Sequence, residues 1–525
     1  MNYIFTNGLY LNSHSKSYEH GSILCADGII SHIGDEQSCK AASSTTAEVI
    51  DLKGKLLLPA FVDSHTHFVE LSKAKVLVNL SHCDSLEQIH SYLCAYRDKP
   101  LVSSDWILGG GWDRNRLSNS HQLNRTFLDA IFPHKPVALI SKDYHSKLCN
   151  SMALKLAGIS AASSDPYGGK IERDAKGEPT GVLYETAGEM MDSFIVPISD
   201  SQIVSAIKTT VQEIWQYGMS GFQSMEGKHS RDLLLRANID TSFRFCWHFQ
   251  AHELNVAYSE GISSYMGEGN YQIGGIKIFG DGSLGSQTAA MFSPYSGSNA
   301  NSGILRYTNE ELYSLMFEAA QKGFSSTIHA IGNRCVHQVI ETVIKLNKAM
   351  PNANLMHRIE HVQSIRNIDI PLLKQSGMFA SVQPLHLAND VPMIQAYWQD
   401  IQDQVYSFGS MQKAGIPLGF GSDAPIESIN PFLGIYSAVE RRPALNAALS
   451  PFRPEESIAP IDAILAYTLG AARSSRIEHQ RGSIEPGKQA DLMVLDDYRH
   501  LPNDFWLNAA SRLTMIAGEL VHNSL

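Results

Sequence analysis

Two histidines separated by one residue, His65 and His67, end the apolar run that begins at Phe61. In a β-strand the side chains of residues i and i+2 point to the same face, so both imidazoles can reach one ion from a single strand end. Imidazole nitrogens bind zinc and other borderline cations. The pair therefore predicts a metal site, provided that the rest of the chain supplies the remaining ligands. The alternative is a pair of partly solvated histidines.

Four more residues that could bind a metal or carry a proton stand at the ends of later strand-like runs. They are Lys277, His329, His361 and Asp423. Taken one at a time they predict little, because lysines usually face solvent, single buried histidines are usually hydrogen-bonded, and an aspartate before Ala-Pro often forms a turn. Brought together, they would supply a hydrolytic site, since a bound cation lowers the pKa of water and a carboxylate can move the proton.

The elements that must position these residues alternate between strand-like and helical patterns. Helical spacing of apolar residues covers 201–217, 309–323 and 335–348. The eight strand-like runs are 58–63, 219–224, 242–248, 273–279, 325–329, 357–361, 378–383 and 416–422. Eight such units predict an α/β fold, a (β/α)8 TIM-like barrel, with its active site at the carboxyl ends of the strands.

Both ends of the chain consist of short alternating apolar and polar runs, broken by Asn-Gly and Asp-Gly turns. Because chain termini often lie close together, residues 1–58 and 476–525 are predicted to form one small β-sandwich domain. Residues 59–475 are then the barrel domain. The alternation of strand-like and helical segments in this domain is interrupted at about 70–200. We interpret this segment as an insertion after the first strand, over the barrel mouth, since long connections without function are uncommon.

Composition argues against several classes of function. The 525 residues include 42 basic and 53 acidic ones, and the net charge of -11 offers no basic surface for nucleic acid or an anionic membrane. The seven cysteines are scattered, with no C-x-x-C, so neither a disulfide framework nor a thiolate zinc site is indicated. The chain has no basic leader and no apolar run of about 18 residues. We expect a cytoplasmic protein with a small-molecule substrate, and a homodimer is compatible with these properties.

Short stretches around these residues resemble the amidohydrolase superfamily of metal-dependent hydrolases. The closest resemblance is to amidohydrolase family 3, which includes N-substituted formamide deformylase-like enzymes, and it spans essentially the whole chain. The stretches are 59–67 (PAFVDSHTH), 109–113 (GGGWD), 275–286 (GIKIFGDGSLGS), 328–333 (IHAIGN), 358–363 (RIEHVQ), 381–386 (SVQPLH), 421–427 (GSDAPIE) and 487–495 (GKQADLMVL).

The resemblance implies a metal-dependent amidohydrolase that cleaves a carbon–nitrogen bond other than a peptide bond, in an N-formyl or N-acyl amide. The implied ligands are His65, His67 and Asp423 for one divalent cation, zinc before others, and His329 and His361 for a second. Lys277, carboxylated on its amine, would bridge the two ions, although some superfamily members use only one. A metal-bound hydroxide would attack the carbonyl carbon, and Asp423 would pass its proton to the leaving nitrogen.

Other residues are expected to shape the pocket. His145 matches a stretch that caps the pocket in the family, and it would polarise the substrate carbonyl. Trp112, Asp113 and His386 are expected to bind substrate. Asp63, on the ligand face of the first strand, is expected to orient the ligands from behind.

Two other interpretations compete with this one. Residues 280–285 are a literal G-x-G-x-x-G after a strand, which is typical of dinucleotide binding, but the helix that should open at the third glycine is not predicted. A barrel that serves only as a scaffold should have lost ligands, whereas every position that we can match is kept. Among hydrolases, cyclic amides, carbamates and esters stay open as substrates.

Overall fold

Eight parallel strands form one sheet in the computed structural model, in the same order round the sheet as along the sequence. They are β8 (Phe61–Thr66), β15 (Met219–Ser224), β16 (Arg244–Gln250), β17 (Tyr271–Phe279), β18 (Ser326–Ala330), β19 (Arg358–His361), β20 (Phe379–Val382) and β21 (Leu418–Phe420). This confirms the predicted (β/α)8 barrel. The structure describes residues 1–101, 104–114, 117–142, 146–167, 169–239, 243–267, 269–298, 300–443 and 449–525.

The first barrel strand begins later than predicted. The apolar run at 58–63 serves two sheets, because Leu56–Pro59 is a separate strand, β7, that pairs antiparallel with a strand near the C-terminus. The Ala60 amide donates to the Asp491 carbonyl at 2.9 Å, and β8 starts at the next residue. Hydrophobicity alone does not mark this change of sheet, so the predicted boundary is wrong by three residues.

The carboxyl ends of the first and last barrel strands meet through hydrogen bonds of the backbone. The Asp423 amide donates to the His65 carbonyl at 2.7 Å. The Asp63 carboxylate accepts the amides of His65 at 2.9 Å and of Ser422 at 3.1 Å. The segment after β21 therefore lies against β8 at the end of the barrel where the candidate ligands stand.

Helices connect the barrel strands. The three predicted helices are α7 (Asp200–Trp215), α10 (Asn309–Gln321) and α11 (Asn333–Ala349), each close to its predicted bounds. A capping box of Thr308 and Glu311 begins α10. The others in this part of the chain are α8 (Gly227–Ala237), α9 (Leu254–Ser259), α12 (Ile370–Ser376), α13 (His386–Tyr397), α14 (Phe408–Lys413), α15 (Pro431–Glu440), α16 (Pro460–Leu465) and α17 (Ala471–Ser474).

Strands from both ends of the chain form a β-sandwich, as the sequence predicts. One sheet contains β1 (Tyr3–Thr6), β4 (Ser22–Ala26), β5 (Ile29–Gly34) and β6 (Glu48–Asp51), and helix α1 (Glu36–Ala42) follows β5. The other contains β2 (Leu9–Asn12), β3 (Ser17–His20), β7, β22 (Leu492–Leu495), β23 (Leu513–Ile516) and β24 (Glu519–Asn523). Phe5 of the first sheet and Leu57 and Val494 of the second belong to one buried cluster.

Residues 69–210 form a second compact unit, inserted in the chain after the first barrel strand. Its mixed sheet contains β9 (Val78–Asn79), β10 (Ile107–Trp112), β11 (Val137–Ser141), β12 (Ser146–Cys149), β13 (Gly169–Arg173) and β14 (Pro179–Glu185). Its helices are α3 (Leu86–Asp98), α4 (Arg125–Ile131), α5 (Ser151–Leu156) and α6 (Thr186–Glu189), and α2 (Phe68–Val76) leads into it.

Among the helices of the described residues, none is long and apolar enough to cross a membrane.

Gly421 allows the close approach of the last barrel strand to the first. A Cβ atom there would lie 2.5 Å from the His65 backbone nitrogen and 2.8 Å from Asp63 Oδ1. We expect Gly421→Ala to lower the free energy of unfolding by about 1–3 kcal/mol, since neither neighbour can move without disturbing the strand junction. Denaturant unfolding measures this. Gly285→Ala is the matched control, because the nearest atom there is Met393 Sδ at 3.5 Å. Equal stability of the two variants would contradict the interpretation.

Candidate metal centre

The side chains of His65, His67, Lys277 and Asp423 come together at the carboxyl end of the barrel. Asp423 Oδ1 lies 3.3 Å from His65 Nε2 and 3.3 Å from His67 Nε2. Lys277 Nζ lies 3.4 Å from His65 Nε2. The strand that carries the two histidines thus meets the loop after the last barrel strand.

The two remaining candidate ligands, His361 and His329, adjoin this group. The ring centroids of His65 and His361 are 4.9 Å apart, and those of His361 and His329 are 4.5 Å apart. One potential ligand atom from each of His65, His361 and Asp423 lies within 4.8 Å of the other two. The family resemblance implies that His65 and Asp423 bind one ion and His361 a second. Because all three lie together, His361 is close to both implied ligand sets.

Hydrogen bonds fix which nitrogen of each imidazole can bind an ion. His65 Nδ1 lies 2.6 Å from Glu360 Oε2, and His361 Nδ1 lies 2.8 Å from Gln383 Oε1. Both oxygens accept, so each Nδ1 carries the proton and each Nε2 keeps its lone pair. His329 has the opposite arrangement, since its Nε2 lies 3.0 Å from the Gly282 carbonyl oxygen and its Nδ1 is left unprotonated.

The donor set fits a divalent cation of borderline hardness. It combines unprotonated imidazole nitrogens with the Asp423 carboxylate, and His65, His361 and Asp423 are all buried. His386 adjoins this donor set, since its Nε2 lies 3.4 Å from Asp423 Oδ2. Burial would lower the pKa of His386, but the Asp423 carboxylate raises it to about 9, so this imidazole is protonated and paired with Asp423.

The backbone is strained where it delivers two of these ligands. Asp423 has φ 58°, and His361 and the following Val362 have φ 72° and φ 47°. Residues other than glycine seldom adopt this left-handed region, and such strain collects at functional sites, where the surrounding structure holds it in place.

Burial sets the charge state of several groups in the site. It lowers the pKa of Lys277 to about 8, because the ammonium ion loses its hydration. Burial together with the charge of Lys277 lowers the pKa of His329 to about 3, so this imidazole is neutral. Burial raises the pKa of Asp63 to about 7, in spite of the backbone amides that its carboxylate accepts.

The pocket residues predicted from sequence have different placements. His386 lies beside Asp423, and the Asp63 carboxylate accepts the backbone amide of His65, so its orienting role stays a prediction. Trp112 packs in the core of the second unit, where its indole N–H donates to the Leu139 carbonyl at 2.9 Å. Asp113 directly follows Trp112 at the end of β10. His145, which is predicted to polarise the substrate carbonyl, lies outside the described residues, and substrate binding by Trp112, Asp113 and His386 stays a prediction.

Sequence reasoning missed the partners behind the ligands, above all Glu360, Arg358 and Gln383. The signal was present, since Arg358 and Glu360 stand two residues apart in a short strand and so share a face inside a barrel. Since a buried arginine or glutamate is rare unless it is paired, the two are expected to pair with each other. Gln383 gave no comparable signal, because an uncharged amide at a strand end has many ordinary roles.

The glycine-rich stretch at 280–285 does not begin a helix. The described residues between β17 and α10 contain no helical segment, and Asp281 in the stretch accepts the amides of Ala290, Ile331 and Gly332 at 2.8–3.0 Å. The stretch therefore ties two barrel loops together and lacks the helix that a dinucleotide site requires.

An eight-stranded barrel with a buried His/Asp cluster at the carboxyl ends of its strands defines the class of metal-dependent hydrolases. Within that class, a family model described as Amidohydrolase family matches residues 48–522, and the chain belongs to amidohydrolase family 3. It is therefore an enzyme of the amidohydrolase type, acting on carbon–nitrogen bonds.

Named relatives cover nearly the whole chain. YtcJ of Bacillus subtilis (strain 168) is 30% identical over 511 residues, which are 95% of this chain and 96% of YtcJ. N-substituted formamide deformylase of Arthrobacter pascens is 26% identical over 505 residues, 90% of each chain. A crystal structure described as an uncharacterized metal-dependent hydrolase from Pyrococcus horikoshii OT3 is similar with TM-score 0.79 and 26% identity, over 96% of this chain and 99% of that one.

Loss of His361 should empty the site of metal. We expect His361→Asn to weaken the binding of zinc by more than about 100-fold, since losing even an outer partner of a ligand costs about 10–100-fold. Chelator competition and elemental analysis measure this. His357→Asn is the control, because His357 is a buried histidine immediately before the first residue of the same strand, β19. Unchanged zinc affinity in the His361 variant would contradict the ligand assignment.

Proposed function

We propose that this enzyme hydrolyses the carbon–nitrogen bond of an N-formyl or N-acyl amide, releasing an acid and an amine. The proposal is supported by the family to which the chain belongs and by a relative named N-substituted formamide deformylase. The observation that carries it is the Asp423 carboxylate, buried among imidazoles at the carboxyl end of the barrel.

The proposed cofactor is zinc, as one or two ions. When bound, a divalent cation lowers the pKa of water and polarises a carbonyl group. The residues that would hold it are His65, His67 and Asp423, with His361 and His329 beside them. The tautomers described above favour this assignment, because His65, His361 and His329 each keep one unprotonated ring nitrogen that can bind a cation.

Asp423 is the proposed proton carrier. Burial would raise its pKa, but the neighbouring histidines hold the pKa of Asp423 well below its usual range, so the group is an ionised base. Oδ1 faces His65 and His67, and Oδ2 faces His386. A carboxylate in this position can accept a proton from the attacking water and give it to the departing nitrogen.

Lys277 is proposed to be carboxylated. Its Nζ lies 3.4 Å from His65 Nε2, the nitrogen available for an ion, and the side chain is buried. An ammonium group there would repel a divalent cation. Reaction of the neutral amine with carbon dioxide would form a C–N bond and release one proton, leaving an anionic carbamate in place of the ammonium group. Its oxygens could bind a cation, which would explain a lysine inside the barrel.

A substrate panel tests the proposed reaction. The purified enzyme, with zinc added, is offered matched N-benzyl formamide, acetamide, carbamate, lactam and benzyl ester substrates. We expect the formamide or the acetamide to have the highest kcat/KM. A clear preference for the ester, the carbamate or the lactam would overturn the choice of bond, and no turnover of any member with zinc bound would favour the scaffold interpretation.

Asp423→Asn should abolish proton transfer while it preserves the size of the side chain. We expect kcat on the best substrate of the panel to fall by about 10²–10⁴-fold, the usual contribution of general acid–base catalysis. Circular dichroism and zinc content control for folding and metal loss. Asp390→Asn is the matched variant, because Asp390 is a buried aspartate of α13 whose carboxylate accepts the hydroxyl of Tyr406. Turnover retained in the Asp423 variant would refute its role.

Carboxylation of Lys277 predicts a carbamate carbon in the folded protein. With ¹³C-bicarbonate we expect one carbamate resonance in the ¹³C NMR spectrum of the zinc-loaded enzyme. It should be absent from Lys277→Ala and present in Lys413→Ala, where the lysine is at the end of α14. An identical resonance in the Lys277 variant, or none in the wild type, would contradict the proposal.

A further inference from the structure

We infer that the buried Arg358–Glu360 ion pair positions His65 for metal binding, by holding its imidazole in a single tautomer. Glu360 and Arg358 are positioning residues in this account and do not bind the ion. The inference rests on the metal centre of the proposed function, and it adds two residues to which no role has been given.

Both oxygens of Glu360 are engaged. Oε2 lies 2.6 Å from His65 Nδ1 and 3.2 Å from Arg358 Nη2, and Oε1 accepts Arg358 Nε at 2.9 Å. All three side chains are almost completely buried. A carboxylate with both oxygens committed in this way is directed at the histidine and the arginine, which argues against Glu360 as a metal ligand.

The contact with Arg358 makes Glu360 an acceptor. A guanidinium group can only donate, so both carboxylate oxygens accept from Arg358, and Oε2 is also the oxygen that faces His65. The proton in this contact therefore belongs to His65 Nδ1. The lone pair of His65 must then lie on Nε2, the atom 3.3 Å from Asp423 Oδ1.

Arg358 is itself held from several sides. Its Nη2 donates to the Ser64 carbonyl at 2.7 Å, and its Nη1 donates to Gln223 Oε1. The Gln223 amide nitrogen donates in turn to the Ala471 carbonyl at 2.9 Å and to Ser474 Oγ at 2.7 Å. The arginine is thus fixed by the first and second barrel strands and, through Gln223, by α17, so Glu360 has no freedom to turn away from His65.

The local backbone lets two consecutive residues of β19 serve the same histidine. In a regular strand, neighbours point to opposite faces, so only Glu360 or His361 should face the barrel interior. His361 has φ 72°, which ends the extended conformation, and its ring lies 4.9 Å from that of His65. Strand β19 therefore supplies Glu360, which supports His65, and in the next position His361, which lies beside the site of the same ion.

Removal of the support should weaken metal binding in a fold that is intact. Glu360→Met removes the acceptor for His65 but leaves the Arg358 charge unpaired, and an unpaired buried charge destabilises strongly. The second variant is therefore Arg358→Met/Glu360→Met, which removes the acceptor and both charges together. In each we expect zinc affinity, measured by chelator competition, to fall by about 10–100-fold, as for other carboxylate partners of ligating histidines.

The tautomer is read directly, without metal or substrate, by ¹⁵N NMR of histidine-labelled protein. The wild type should show His65 with a protonated Nδ1, assigned by its loss in His65→Asn. We expect the double variant to show a mixture of tautomers or a shift to protonated Nε2. Because this readout needs no turnover, a negative substrate panel would refute the proposed reaction and leave this inference standing.

Glu456→Met is the matched control. Glu456 is a buried glutamate paired with Arg453 at 3.1 Å, and it accepts the amide and the hydroxyl of Ser410. Its loss should lower stability and leave zinc affinity unchanged. The inference is overturned if the double variant is folded, keeps His65 protonated at Nδ1 and binds zinc within about threefold of wild type, or if the Glu456 variant loses as much affinity.

Discussion

The short hydrogen bond from the Asp423 amide to the His65 carbonyl joins the first and last strands of the barrel, and the metal centre depends on that junction. The His67 amide reinforces it through the Ala424 carbonyl at 2.8 Å. The same backbone segments that complete the cylinder carry three of the candidate ligands. Barrel closure and ligand assembly are therefore one structural event, and the left-handed φ of Asp423 is held by the junction that it helps to make.

Around the junction, the protein places several ionisable groups out of reach of water. Such a cluster is stable only if charges are paired or groups become neutral. Glu360 is paired with Arg358, and His329 is neutral because burial and Lys277 depress its pKa. Burial also lowers the pKa of Lys277, to about 8, so part of this amine is neutral near pH 7. The neutral amine is the form that the proposed carboxylation requires.

Much of this arrangement is legible in the sequence, because period-two spacing and position at a strand end are local properties. They predict that the two histidines of the first strand share a face, and the eightfold alternation predicts the barrel that brings Asp423 to them. The contacts that could not be predicted depend on which strands lie opposite each other in the barrel. The bond between His65 and Glu360 joins residues 295 positions apart, and nothing in either neighbourhood names the other. The start of the first barrel strand was predicted wrongly for a local reason. One unbroken apolar run belongs to two sheets, and hydrophobicity does not show that the change occurs at Ala60.

That change of sheet has a consequence for biosynthesis. Strand β7 continues into β8 after a single residue, and β7 is paired with β22, which contains residues 492–495. Long-range strand pairing forms late, because the intervening chain must first exist and then be ordered. On its other side β7 pairs with β2, which is synthesised before it, so only the pairing with β22 must wait for a segment more than 400 residues downstream. A nascent chain that lacks β22 therefore holds the strand of the first two histidines next to a sheet that still has one side open.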